Sequence, residues 1–450
     1  MSASRPFGRR QLCAGALAST LGLFVPRVAS ARGRTTASGR ISLRVPWPIG
    51  AVDPHRLDDG FAAIFGDALF DTLYAYANTS AIVPSLAEAD PEPEGSRLRV
   101  RLRSDLRTAT GRPFEARDAA AAIARARSLG GRAWLADIPD PKVDGTSLVF
   151  KVRSAARLTE ALASPIIAML PANYSAESPD GTGPFRLMAR GDGVVLVRNA
   201  LAARGPAFLD EVMVHSAPDL ASSLRAFERG TDDVGWLGSG LHEPRVGSRP
   251  FDFGAVGWAV LYTGRDALWW DAPGVAQRLC DGIDPSRLSH LALGPGWVPE
   301  AQQGWGGAPT TLLVREDAPW LVELARAIAA TISRPSHDVT AKLVPASELV
   351  HRRASRGYGL ALDVVRPVAP GALGAMISLA TSDDRERAGD LALHPPRLGD
   401  VAARKTTRTL RCGVVGEIRV QGGRAQDITL VASPNASGFD LGASSRQPRA

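Results

Sequence analysis

Strand-like and helix-like segments alternate along almost the whole chain, and that alternation limits the fold more than any single motif. In "ISLRV", Ile41, Leu43 and Val45 alternate with polar residues, which predicts a strand stopped by Pro46 and Pro48. Phe61, Ile64, Phe65, Ala68, Leu69 and Leu73 fall at helical spacing over 61–73. "RLRVRLR" predicts a strand with Leu98, Val100 and Leu102 inward and its arginines outward. "RPFEARDAAAAIARARS" predicts an alanine-rich helix ended by Gly130-Gly131. Further strands are predicted in "SLVFKV", "VVLVRN", "DEVMVH", "DDVGWL", "AVGWAVLY", "DVTAKLV", "GLALDVV" and "EIRV". Helices fall between them in "PDLASSLRAFERG", "APGVAQRLCDGI" and "APWLVELARAIAATI". Interleaving of this kind predicts α/β lobes rather than a sandwich or a bundle. About 410 residues follow Arg40, more than one hydrophobic core usually serves, so at least two lobes are expected.

The first residues read as an export signal, 1–31. Arg9-Arg10 precede a short apolar stretch, Leu12 to Val25, and the small residues Ala29-Ser30-Ala31 supply a cleavage site. The paired arginines and the Gly/Ser/Thr-diluted core resemble a twin-arginine signal more than a basic Sec signal. The apolar run is shorter than the roughly 20 residues a membrane span needs. Cys13 lacks the small residue before it that a lipid anchor would use. A polar basic tether, 32–40, follows. Arg5, Arg9, Arg10, Arg27, Arg32, Arg34 and Arg40 account for the whole formal charge of +7, so the rest of the chain is neutral. Nothing in that balance points to nucleic acid. Cys280 and Cys412 are far apart in sequence and read as buried thiols rather than as a disulfide.

"GTGPF" raises a choice between a phosphate loop and a backbone joint. No Lys-Ser or Lys-Thr follows the glycines, and a strand rather than a helix comes next. A dinucleotide fingerprint would need a third spaced glycine. Gly181 and Gly183 therefore supply backbone freedom and Pro184 a fixed φ, which makes the motif a joint or hinge element. An enzyme is the rival class, because twin-arginine export often serves folded cofactor proteins. The histidines (His55, His215, His242, His290, His337, His351, His394) form no metal-ligand spacing. "GSG" at Ser239 lacks the glycine a nucleophile elbow requires. The neighbouring acids Asp58-Asp59 and Asp232-Asp233 suit caps and turns. No catalytic residue, metal site or cofactor is predicted.

Several fragments in one order resemble the family 5 extracellular solute-binding proteins, the receptors of peptide, nickel and related ABC importers. They are Asp53-Pro54, "FDTLYAY", "IVPSLAEA", "LRVRLRSDLRTATGRPFEARDAAAAIAR", "GTGPF", "VLVRNALAARGPAFLDEVMV", "SLRAFERGTDDVGW" and "DAPGVAQRLCDGIDPSRL". The resemblance implies a two-lobe periplasmic binding protein of type 2 with an accessory subdomain. Lobe 1 would comprise 41–76, 179–254 and 406–445, the accessory subdomain 77–178, and lobe 2 255–405. It also implies a monomeric, periplasmic component of an ABC importer that captures a peptide-like or other small solute by inter-lobe closure and hands it to permease subunits. Contact with the membrane would come only through the permease, and no nucleic-acid partner is implied. A degenerate receptor kept as a sensor or partner-binding module is the alternative, motivated by a shortened second lobe. There "GPGWVPEAQQGWGGAP" leads straight to "TTLLV", where the family often carries a further helix.

Another departure lies in "GLALDVVRPVAPGAL". Peptide-binding members resemble one another there in an Asp that pairs with the ligand's ammonium. Aligning Pro370 with the family's proline puts Arg366 at that position, which would favour a carboxylate or phosphate. A three-residue slip puts Asp363 there instead. Trp47, Trp236, Trp258 and Tyr262, near the expected crossover between lobes, are the other ligand-binding candidates, each with core packing as the competing role. Trp269-Trp270 is expected to cover a helix start.

Overall fold

The computed structural model describes residues 39–447 apart from 46, 78–80, 192, 237–245, 292, 294–303, 395–406 and 436–437. The export signal, nearly all of the tether, Ser239, His242 and most of the shortened connection before "TTLLV" lie outside those residues.

The described chain is organised by one ten-stranded sheet. From edge to edge its strands are Val339–Val344, Thr310–Arg315, Leu360–Val365, Ser248–Thr263, Cys412–Ala425, Val234–Trp236, Arg40–Val45, Glu211–Ser216, Gly193–Arg198 and Phe185–Arg190. A separate four-stranded sheet joins Glu92–Glu94, Arg97–Arg101, Ser147–Phe150 and Lys142–Asp144. The alternation in the sequence explains most of this. Ile41, Leu43 and Val45 are buried on the first strand, and Leu98, Val100 and Leu102 on the second sheet. The arginines between the latter pair with acids: Arg99 with Glu94 and Asp144, Arg101 with Glu88.

Two strands are far longer than the rest. Ser248–Thr263 and Cys412–Ala425 run antiparallel along their whole length, from Ser248↔Ala425 to Tyr262↔Cys412. At one end Cys412–Ala425 also pairs with Val234–Trp236; at the other Ser248–Thr263 pairs with Leu360–Val365. The register breaks between those two ends. From Asp252↔Gln421 to Gly257↔Ile418 one strand advances five residues and the other three, and between Ala259 and Val260 the partner gains Val415. These are β-bulges, which bend and twist a ribbon locally. Gly254 supplies the left-handed backbone there, with φ +87°. Arg419 clips the bulge, reaching Asp252 at 2.8 Å and Glu417 at 3.0 Å. Sequence periodicity identified only "EIRV" in the second long strand, because the glycines of "VQGG" interrupt the alternation.

The helix anticipated over 61–73 spans Gly60–Leu69. Asp59 caps its start by accepting the Ala62 N–H, and the chain turns extended at Phe70, φ −132°. The reason lies in the "GTGPF" segment, which packs against the helix end. The Gly183 N–H donates to the Leu69 carbonyl at 3.1 Å. A Cβ at Gly181 would stand 2.0 Å from the Leu69 oxygen, and one at Gly183 2.5 Å from the Leu69 carbonyl carbon. Between them, Thr182 donates to buried Asp71 at 2.7 Å, and Arg204 meets the other oxygen of Asp71 at 2.5 Å. The motif is thus a clamp on a helix terminus. Helices Ala346–Ser355, Gly371–Asp383 and Arg385–Leu393 were not anticipated; the first two begin after prolines and carry weak apolar stripes.

Cys280 and Cys412 are free and buried, and the Cys412 thiol faces the Leu379 carbonyl at 3.8 Å. Trp269 projects from the surface, whereas Trp270 packs on Trp305 with ring centroids 4.9 Å apart. No helix among the described residues is long and apolar enough to cross a membrane.

Replacing Gly183 with alanine forces backbone against backbone at the Leu69 terminus. The variant is expected to lose about 2 kcal/mol or more of stability, read as a shifted denaturant midpoint at unchanged slope. A midpoint within error of the wild type would show that the clamp tolerates a side chain.

Candidate functional site

A cavity of about 810 Å³ opens where the chain leaves the first strand and approaches the helix at Gly60. One wall is the loop Trp47 to Phe61; the opposite wall comprises Arg315 to Ala318, the first turns of helix Ala346–Ser355, and Asp363 of strand Leu360–Val365. Ala176 and Glu177 close a side. The strands ending at Val45 and Arg315 each pair in parallel with neighbours, so the cavity sits beyond their carboxyl ends, where open α/β sheets place ligands. Its volume is in the range of small-ligand sites.

The lining includes six carboxylates and two guanidiniums. Nearly all are matched internally. Asp53 receives both arms of Arg125 at 2.8 and 2.7 Å. Burial alone would raise the Asp53 carboxyl, but Arg125 outweighs it and holds the group below the ordinary range. Arg56 grips Asp58 at 2.9 and 2.6 Å, and Arg315 grips Asp317 at 2.6 and 2.7 Å. Arg353 reaches Asp363 at 2.6 Å. Asp59 takes the backbone N–H groups of Asp53 and Ala62, and burial pushes its carboxyl up. Glu177 accepts from Ser175 at 2.5 Å.

Beneath Asp53 lies His55, fully buried. Its Nε2 bonds the Ala168 carbonyl at 2.8 Å and its Nδ1 accepts from Arg125 at 3.0 Å, the arrangement of a neutral ring. Burial pushes this imidazole from 6.5 down to about 4, with the Arg125 charge adding to the effect.

Of the residues singled out from sequence, Trp47 lines this cavity. It is 3% exposed, meets Trp320 edge-on with centroids 5.5 Å apart, and leaves its indole N–H without an acceptor. Trp236 is buried in the core beside Ser223. Trp258 is half-buried on the long strand, opposite Glu417 and Val365. Tyr262 is buried, with the Arg353 guanidinium 4.0 Å above its ring. Arg366 does not line the large cavity; it borders a void of about 10 Å³ behind Asp59 and donates to the Pro54 carbonyl. Gly181, Gly183 and Pro184 belong to the helix clamp. Asp363, the alternative to Arg366 in the sequence, does line the cavity, whereas the role of Asp53 was not readable because its partner Arg125 comes from a distant segment.

Residues 81–245 match the bacterial extracellular solute-binding proteins, family 5 Middle. That segment is a family 5 solute-binding domain. No curated protein matches the chain's sequence. Among solved structures, the oligopeptide-binding protein AppA from Bacillus subtilis in complex with a nonapeptide superposes with a TM-score of 0.68 at 13% identity, over 91% of this chain and 99% of AppA. DppA from Helicobacter pylori in complex with peptide STSA gives 0.68 at 14%, over 91% and 98%. NikA from Staphylococcus aureus in complex with Ni(L-His)2 gives 0.66 at 13%, over 90% and 99%. The fold is therefore that of these type 2 periplasmic binding proteins. Among the described residues no group of three or more His, Cys, Asp or Glu side chains could hold a metal ion. The solute-binding domain contributes Ala176 and Glu177 to the cavity; the rest of the lining comes from outside it.

The depressed imidazole makes stability pH-dependent. Unfolded His55 takes a proton near 6.5 and the folded ring near 4, so the contribution is complete above about 6.5 and fades as pH falls toward 4. Over that interval it amounts to roughly 3 kcal/mol. Thermal melts of His55→Gln should show a shallower decline than wild type between pH 7 and 4.5. Parallel profiles would place the proton uptake elsewhere.

Proposed function

We propose that this solute-binding protein holds its solute in the 810 Å³ cavity and captures it by closing two lobes about the long strand pair. Lobe 1 comprises 41–76, 179–254 and 406–445, lobe 2 255–405, and the accessory subdomain 77–178. The observation that carries this reading is the make-up of the cavity. Its two walls, 47–61 and 315–363, follow strands on opposite sides of the bulged ribbon in the ten-stranded sheet and are joined through it. A solute touching both walls gains contacts only in the closed form and so stabilises it. The captured solute then passes to the permease of an ABC importer in the periplasm, and the paired Arg9 and Arg10 direct export by the twin-arginine route. AppA and DppA were solved with peptides and NikA with a nickel–histidine complex, which sets the solute classes to try first.

Native mass spectrometry of the protein from Arg32 onward, purified from periplasm, tests the capture. An added mass that disappears on denaturation is expected. Ser347→Trp, which places an indole in the cavity wall, should abolish the added mass while leaving the melting temperature within a few degrees. A clean mass that no peptide or nickel–histidine mixture shifts would sink the receptor reading. For the export route, replacing Arg9 and Arg10 together with lysine should leave the protein in the cytoplasm; normal periplasmic yield would assign it to the Sec pathway.

A further inference from the structure

We infer that Arg353 is a specificity-determining residue: it occupies, from within the chain, the place that a cationic group of the solute would take against Asp363. This rests on the cavity being the solute site. Asp363 lines that cavity yet its side chain is only 1% exposed, so its charge needs a cation close by. Two sources exist for such a cation in a binding cavity, the solute or the protein. Here one oxygen of Asp363 accepts the Val364 N–H at 2.9 Å, and the other meets the Arg353 guanidinium at 2.6 Å.

Arg353 reaches Asp363 from behind. It does not line the main cavity but a second chamber of about 490 Å³, which shares Arg56, Asp58 and Val350 with the first. Its position is fixed on three sides. The guanidinium lies 4.0 Å over the Tyr262 ring, donates to the Ser382 carbonyl at 3.2 Å, and forms the Asp363 pair. The nearby alternatives are committed elsewhere, Arg56 to Asp58 and Arg315 to Asp317, each through two hydrogen bonds. Asp363 therefore offers no free charge to a solute. The solute that fits this end of the cavity therefore carries no ammonium or guanidinium there.

Removing the internal cation should create an amine site. In Arg353→Met the apolar stem still covers Tyr262 while the charge is gone. Calorimetric titration with agmatine, a flexible guanidinium-amine, should show one-to-one binding to Arg353→Met at least tenfold tighter than to wild type. The double variant Arg353→Met/Asp363→Asn, which has no carboxylate to satisfy, should show none of that gain. If Arg353→Met folds poorly, its refolding yield in agmatine against equal sodium chloride gives the same comparison with the double variant. Equal response of the single and double variants would overturn the inference. That result would leave the captured mass seen in native spectrometry untouched, whereas loss of that mass with a clear agmatine gain would count against solute capture and not against the pairing at Asp363.

Discussion

The antiparallel pairing of Ser248–Thr263 with Cys412–Ala425 is the interaction on which the rest of the architecture hangs. Leu360–Val365 pairs with one end of this ribbon and Val234–Trp236 with the other, and the remaining strands of the ten-stranded sheet extend from these two. The ribbon needs length to reach both groups and irregularity to let them differ in direction, and the two requirements conflict. A regular ladder this long would twist as one body. The bulges between Asp252 and Val260 resolve the conflict by interrupting the register three times near the middle, while main-chain hydrogen bonds continue on both sides. The aromatic cluster of Phe251, Phe253 and Phe439, with centroids 5.2 to 6.0 Å apart, supports one side of the break.

The cavity follows a second economy. A site lined by six carboxylates would repel itself, and each unpaired charge would cost several kcal/mol on burial. Four of those acids carry an arginine partner, and Asp59 is spent on backbone N–H groups. The pairs Arg56–Asp58 and Arg315–Asp317 are each formed two residues apart, so they assemble with their own loop and add rigidity to the rim. Asp53–Arg125 and Arg353–Asp363 bring separate segments together, and these hold the walls in place.

Much of the sheet was legible because its strands carry their burial in alternation, as Ile41, Leu43 and Val45 do. The helix at Gly60–Leu69 was legible in its apolar face but not in its end, since the stop comes from Gly181 and Gly183, more than a hundred residues away. The cavity was less readable still. Aromatic residues attract attention as ligand contacts, yet Trp236 and Tyr262 serve the core and Arg366 backs Asp59 from a small void. What makes Asp363 a cavity residue is its register on a strand next to the long ribbon, and what makes it unavailable is an arginine ten residues earlier on a helix the sequence barely announces. In the "GTGPF" motif, Thr182 joins Asp71 and Arg204 in a set of internal hydrogen bonds at the helix end.

The burial of both thiols has a practical side. Cys280 and Cys412 sit inside the core, where burial raises both thiols and keeps them poorly nucleophilic. A single cysteine introduced on the cavity rim would then be the one reactive sulfur of the described chain. The fold comes ready for a fluorophore at a chosen position, and with it an optical reporter of whatever the cavity takes up.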